Sequence, residues 1–156
     1  MPKTLRALSP FALFFCIFLL VSPAMGHGFN RAPSGKAFFD IDSSKLSAES
    51  LPFVLGGIKV TFEEMEAGGI SPDFIVIFRG LNTGILNSVN AGEQTQMLVS
   101  ILAEMGVQLQ VCSKAVYLSG ENQDDLMPEF EVIENAWVSA ILLQNKKHGD
   151  YAYVTF

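Results

Sequence analysis

The run PDFIVIFRG, residues 72–80, decides the architecture. From Phe74 to Phe78 it is apolar without a break, the signature of a central parallel strand covered on both faces. Its neighbours in sequence supply the helices that parallel pairing requires. Upstream, KAFFDID, from Lys36, reads as a first strand. SSKLSAES then offers caps for a helix whose apolar residues Leu51, Val54, Leu55, Ile58, Phe62 and Met65 recur three or four apart. Gly68 and Gly69 end that helix. Gly56 and Gly57 inside it cost about 1 kcal/mol each relative to alanine, and close backbone packing is the expected reason for keeping them.

Downstream, LNTGILNSVNAG is a longer connection and EQTQMLVSILAEMG a second helix, with Met97, Leu98, Ile101, Leu102 and Met105 on one side. GVQLQVC is a third strand that turns into the helix SKAVYLSG. ENQDDLMP is an acidic loop and FEVIEN a fourth strand. AWVSAILLQNKKHG is a helix with Lys146, Lys147 and His148 in its last turn and Gly149 after it. YAYVTF, residues 151–156, is a fifth strand. Strands alternating with helices mean an α/β domain, a three-layer α/β/α arrangement with a mainly parallel five-stranded sheet. Strand order is left open.

The amino-terminal segment has a different character. Lys3 and Arg6 precede an apolar run over residues 11–21, and SPAMG places Ala24 and Gly26 at the minus-three and minus-one positions of a signal-peptidase site. That is the order of a secretory signal peptide, and the run is shorter than the ~20 residues that span a bilayer. Residues 1–26 are thus expected to be removed on export, 27–35 to form a flexible leader, and 36–156 to form one domain. The destination is the periplasm or the extracellular space, with no stable membrane insertion. The full chain carries 10 cations against 16 anions, and loss of Lys3 and Arg6 leaves 8 against 16. Such a surface repels phosphate backbones and anionic lipid heads, which excludes nucleic acid as a partner.

The sequence contains two cysteines, and Cys16 leaves with the signal. Cys112 is then the single thiol in an oxidising setting, which excludes a disulfide framework. It leaves an intermolecular disulfide, a reactive thiol or an inert buried sulfur. In open α/β sheets the working crevice lies outside the carboxyl ends of the strands. Arg79 closes the second strand and Cys112 the third, so both fall at that edge. Val107, Leu109 and Val111 share one face of the third strand, whereas Gln108, Gln110 and Cys112 share the other. A face with two glutamines belongs at a sheet edge or a polar subunit interface, which sets Cys112 apart from plain core. If the next helix begins at Ser113, its dipole favours a thiolate at Cys112, and Lys114 and Arg79 would add positive charge. The opposing account is an inert small residue at a strand end.

Other groups carry less. His27 would become the amino terminus and could chelate copper, but a dedicated site needs more ligands. His148 is accounted for by the helix dipole. Glu121, Asp124 and Asp125 lack the spacing of a calcium loop and read as a solvated turn. Trp137 reads as packing. A flavin mononucleotide site would need a glycine in the loop after the first strand, and a phosphoacceptor receiver an aspartate after the third; the sequence has neither. No metal and no cofactor is assigned.

Taken in order, the first strand and its helix, PDFIVIFRG, GVQLQVC, DDLMPEFEVI and LLQNKKHGDYAYV resemble DsrE/DsrF-like proteins, especially their small exported members. The resemblance runs from about Lys36 to Val154. It implies a three-layer α/β fold assembled into trimers or hexamers, and a cysteine that carries sulfur as a persulfide between proteins. Cys112 matches the family's cysteine after the third strand; Arg79 falls in a variable position. The expectation is an exported protein handling sulfane sulfur through Cys112, as a persulfide carrier or sulfurtransferase, with a protein donor or acceptor of sulfur. The alternative is a non-catalytic oligomeric module that binds a small molecule or a protein, because no histidine is placed as a base and no second catalytic group is evident. Whether the chain is an enzyme stays open at this stage.

Overall fold

The computed structural model describes residues 35–156, so the signal peptide, His27 and nearly all of the leader lie outside the described residues. Five strands, β1 (Lys36–Asp42), β2 (Asp73–Arg79), β3 (Gln108–Cys112), β4 (Phe130–Ile133) and β5 (Ala152–Thr155), form one sheet in the order β4-β3-β2-β1-β5. Every pairing is parallel. The chain steps from β1 to β4 in one direction and then returns to place β5 on the far side of β1. The apolar run of the second strand is therefore the middle of the sheet, and Phe74 to Phe78 are all buried.

Four helices cover it: α1 (Leu51–Ala67), α2 (Glu93–Glu104), α3 (Ser113–Leu118) and α4 (Ala136–Gln144). Period-two alternation divides the strand residues between two cores. On the first face Phe39, Ile41, Phe74, Val76, Phe78, Leu109 and Val111 meet Leu51, Leu55, Ile58 and Phe62 of α1 and Leu98, Val99 and Leu102 of α2. Edge-to-face ring contacts join Phe74 to Phe39 at 5.0 Å and to Phe62 at 5.4 Å. On the second face Phe38, Ile75, Ile77 and Cys112 meet Ala115, Ala136, Ala140 and Leu143. That second layer is thin, because α4 is short and offers alanines where α1 and α2 offer large side chains.

The elements follow the periodicity closely, with local corrections. The α2 face is rotated from the expected one: Thr95 and Val99 are buried and Met97 is exposed. Helix α4 stops at Gln144, so Lys146, Lys147 and His148 lie in the turn beyond it and the dipole does not account for His148. The carbonyl of Asn145 takes the amides of His148 and Gly149, and its side chain takes that of Lys147, which turns the chain out of the helix. Gly56 and Gly57 have open space around them, so close packing within the chain is not their reason. Gly35 is not part of a loose leader. It is buried, its carbonyl accepts the Asp73 amide at 2.8 Å, and a side chain there would strike the Ser71 carbonyl. No helix among the described residues is long and apolar enough to cross a membrane.

The chain's last segment is pinned at the amino ends of the strands. The Tyr151 hydroxyl donates to Asp73 at 2.7 Å, and Lys36 lies 3.5 Å from the same carboxylate and 5.1 Å over the Tyr151 ring. Burial, reinforced by the hydrogen bond to Asp73 and its charge, pushes the Tyr151 phenol up to about 12. The folded value lies above the free value of about 10, so the stabilisation is complete below pH 10 and is lost as pH rises toward 12. Spectrophotometric titration should show one tyrosine ionising near that upper limit, and Tyr151→Phe should remove this step and lower stability by about 1 kcal/mol.

Candidate functional site

Asp40 and Asp42 interrupt an otherwise apolar strand and point, two residues apart, to the second face of the sheet. Register places Asp42 beside Arg79. Arg79 Nε donates to Asp40 Oδ1 at 2.7 Å and Nη2 to Oδ2 at 3.3 Å, a two-pronged contact, while Nη1 lies 3.3 Å from Asp42 Oδ2. The Tyr153 hydroxyl donates to Asp40 Oδ2 at 2.8 Å. Trp137 closes the stack from above, its ring 4.6 Å from the guanidinium carbon. Asp40 is only 4% exposed, and its oxygens are occupied by three donor atoms, two of them from the Arg79 guanidinium, as burial of a carboxylate requires.

The ionisation of the cluster is set by these contacts. The hydrogen bond to Asp40, with the charges of both aspartates, outweighs burial and raises the Arg79 value above its already high one. Burial works against ionised Asp42, but the Ser44 amide and hydroxyl, Arg79 and Lys45 outweigh it and hold the carboxyl below the usual range. The stabilisation from Asp42 is therefore present above about pH 4 and lost as pH falls through its lowered folded value.

The loops leaving the strands are tied to one another around this cluster. Ser44 Oγ accepts the Leu81 amide at 2.7 Å, Ser43 Oγ the Asn82 amide at 3.3 Å, and the Leu46 carbonyl the Asn82 side chain at 2.9 Å. Gly80 makes that approach possible. Its φ is +97°, and a Cβ there would overlap Asp42 and Ser44. On the other side the Ser113 hydroxyl donates to the Glu134 carbonyl at 3.0 Å, and the Asn135 side chain caps α4 by accepting the Trp137 amide at 3.1 Å.

Between the two sets of loops, at the carboxyl edge of the sheet, lies a cavity of about 450 Å³. Cys112, Lys114 and Arg79, the three residues singled out from sequence, all line it, with Asp42, Leu81 and Trp137. Cys112 is the last residue of β3 and the first outside α3, as the sequence indicated. It is 6% exposed: the thiol belongs to the second core and to the cavity wall at once. The glutamine-bearing face of β3 is not at the sheet edge, since β4 lies outside it; Gln110 instead donates to Glu131 of β4 at 3.0 Å. Lys114 is exposed and makes no ion pair among the described residues. Arg79 differs from expectation. It reaches the cavity, but its charge is matched by two carboxylates, so Lys114 is the one uncompensated cation in the lining.

Two residues were misjudged from sequence. Trp137 is more than packing, for it holds Arg79 and walls the cavity. Glu121 is not a free solvated charge, because it accepts from the Asn87 side chain. Asp40, Asp42 and Tyr153 were missed altogether. The available signal was two acidic residues in an apolar strand, which require a buried partner.

No family model matches the chain, and no curated protein is significantly similar to it. Among solved structures, it is similar to the protein of unknown function MTH1491 from Methanobacterium thermoautotrophicum, at 21% identity and a TM-score of 0.60. The match covers 77% of this chain and 97% of that one. At that identity the likeness concerns the fold alone.

Removing the carboxylate beneath Arg79 leaves a half-buried guanidinium with Asp42 as its one remaining counter-ion and takes away the acceptor of the Tyr153 hydroxyl. Asp40→Ala should lower unfolding free energy by about 3 kcal/mol in denaturant titration. Gly80→Ala forces a side chain into a positive-φ position and against two loops, and should cost at least about 2 kcal/mol.

Proposed function

We propose that this protein handles sulfane sulfur at Cys112, as an exported carrier or transferase of the DsrE/DsrF-like kind. The carrying observation is that this thiol lies in the wall of a cavity at the carboxyl edge of a parallel sheet, whose lining also includes Lys114, a cation without an ion pair among the described residues. In the proposed step the Cys112 thiolate attacks the outer sulfur of a persulfide donor. A new sulfur–sulfur bond forms at Cys112, the donor's own sulfur–sulfur bond breaks, and the donor leaves as a thiolate; the proton stays on the transferred sulfur. With a thiosulfate-like donor the sulfur–sulfur bond of the donor breaks, sulfite leaves, and the transferred sulfur, which carries no proton, stays on Cys112 as a persulfide anion. No external oxidant enters either step. Lys114 is the cation of the cavity lining left to attract the anionic donor. Arg79, already paired with Asp40 and Asp42, shapes the wall and holds Trp137. The partners on this reading are a sulfur-donor or acceptor protein and further copies of the chain, in the periplasm or outside the cell.

A second reading is favoured by the same cavity. Leu81, Leu118 and Trp137 make much of its lining apolar, and neither a histidine nor a free carboxylic acid faces Cys112 from it. On that account the protein binds a small molecule or a protein segment without turnover.

Intact-mass analysis after incubation with glutathione persulfide or thiosulfate separates the two. Sulfur handling predicts a gain of one sulfur atom that dithiothreitol removes, that Cys112→Ser abolishes, and that Lys114→Ala slows about tenfold or less, as expected for one partly solvated charge. A wild-type mass that stays unchanged with both donors assigns the cavity to binding.

A further inference from the structure

The lining of the cavity at Cys112 is graded from inside to outside. Its innermost members are Cys112 and the buried alanines Ala115 and Ala136, which pack with the thiol in the second core. Its outermost are Leu81, Leu118 and Trp137, each at least 60% exposed. Large apolar side chains held in water around one mouth favour a ligand with an apolar body. The indole gives that body a fixed wall, because Arg79 holds one face of the ring. At about 450 Å³ the space falls in the range that takes a small organic molecule.

The charges of the lining leave a single place for an anion. Asp42 and Arg79 enter it as an ion pair, and Arg79 is matched again by Asp40. Lys114 is left, exposed and without an ion pair among the described residues. A second negative charge would meet the Asp42 carboxylate. A dianion such as thiosulfate therefore gains one attraction and one repulsion, and it leaves most of the space unfilled. A cysteine on a folded partner is also less suited, since the Cys112 thiol lies beneath the mouth and not at the surface.

We infer that the cavity takes a small organic monoanion with an apolar body: the body lies against Trp137, Leu81 and Leu118, the carboxylate points outward to Lys114, and the opposite end points inward to Cys112. The direction follows from exposure, because Lys114 stands in solvent and Cys112 is buried. That the inward end is a persulfide rests on the sulfur-handling reading. On it the ligand is the persulfide of a thiol acid. The Cys112 thiolate takes the outer sulfur with its proton, the donor's sulfur–sulfur bond breaks, and the thiol acid leaves as its thiolate.

Trp137 is the only tryptophan of the sequence, so its fluorescence reads occupancy of the cavity directly. Titration with the unreactive S-methyl thioether of a phenyl-substituted mercaptopropanoate should change that fluorescence saturably. Removing the phenyl group should weaken binding about tenfold, and masking the carboxylate as its methyl ester about fivefold, as expected for lost apolar burial and for one partly solvated charge. Leu81→Ser combined with Leu118→Ser, both at exposed positions, should erase the preference for the phenyl group. Lys114→Ala should erase the preference for the acid over its ester, and the melting transition should stay in place in both variants. No saturable change, or equal affinity for the three ligands, would overturn the inference whatever sulfur transfer shows. Intact mass after incubation with the corresponding persulfides reads the chemistry separately. A gain of one sulfur atom supports the persulfide as the inward end; binding without that gain overturns the sulfur-handling reading and leaves the ligand class in place.

Discussion

The pairing of Arg79 with Asp40 is the contact on which the second face of this sheet depends. A carboxylate only 4% exposed is tolerable only when its oxygens are occupied, and the occupants come from three strands. Arg79 arrives from β2 and Tyr153 from β5, while β1 supplies the carboxylate itself. Trp137 then lies on the guanidinium and fixes where α4 crosses. One ionic contact thus sets strand register, the position of the last strand, the seat of the covering helix and one wall of the cavity. Its contribution is chiefly to specificity of arrangement, because desolvation of two charges offsets much of their attraction.

The two layers of helices solve different problems. The first is an aromatic and aliphatic core, with Phe74 in edge contact with both Phe39 and Phe62, and it supplies most of the apolar burial. The second is built from small residues, a single thiol and a charge cluster. A thin layer of that kind adds little to stability, but it leaves room for a cavity and brings polar groups to its walls. The cavity and the exposed apolar side chains of α4 both lie on this thinner layer.

Much of the fold was legible because its decisive signal is local. The unbroken apolar run from Phe74 to Phe78 identifies the central strand without knowledge of its neighbours, and the spacing of Leu51, Leu55, Ile58 and Phe62 identifies the face of α1. Where the reading slipped, the signal was ambiguous by a fraction of a helical turn, as at Met97 against Val99, or lay in backbone chemistry, as at Asn145. Placement of Cys112, Arg79 and Lys114 followed from the general position of crevices in parallel sheets. The state of Arg79 did not, because its partner is 39 residues away in sequence and the two meet only through register. Trp137 escaped for the same reason: its role depends on where α4 crosses the sheet.

Tyr153 and Asp40 are separated by 113 residues, and β5 reaches its place beside β1 only after the four other strands have been made. During vectorial synthesis the first strand must therefore wait with one edge open and with its central carboxylate lacking a donor. Such a chain gains its most distant contacts late and pays loop-closure entropy before they form. The cavity, walled by Arg79 at the end of β2 and by Trp137 in α4, is likewise assembled from segments far apart in sequence and takes its form late.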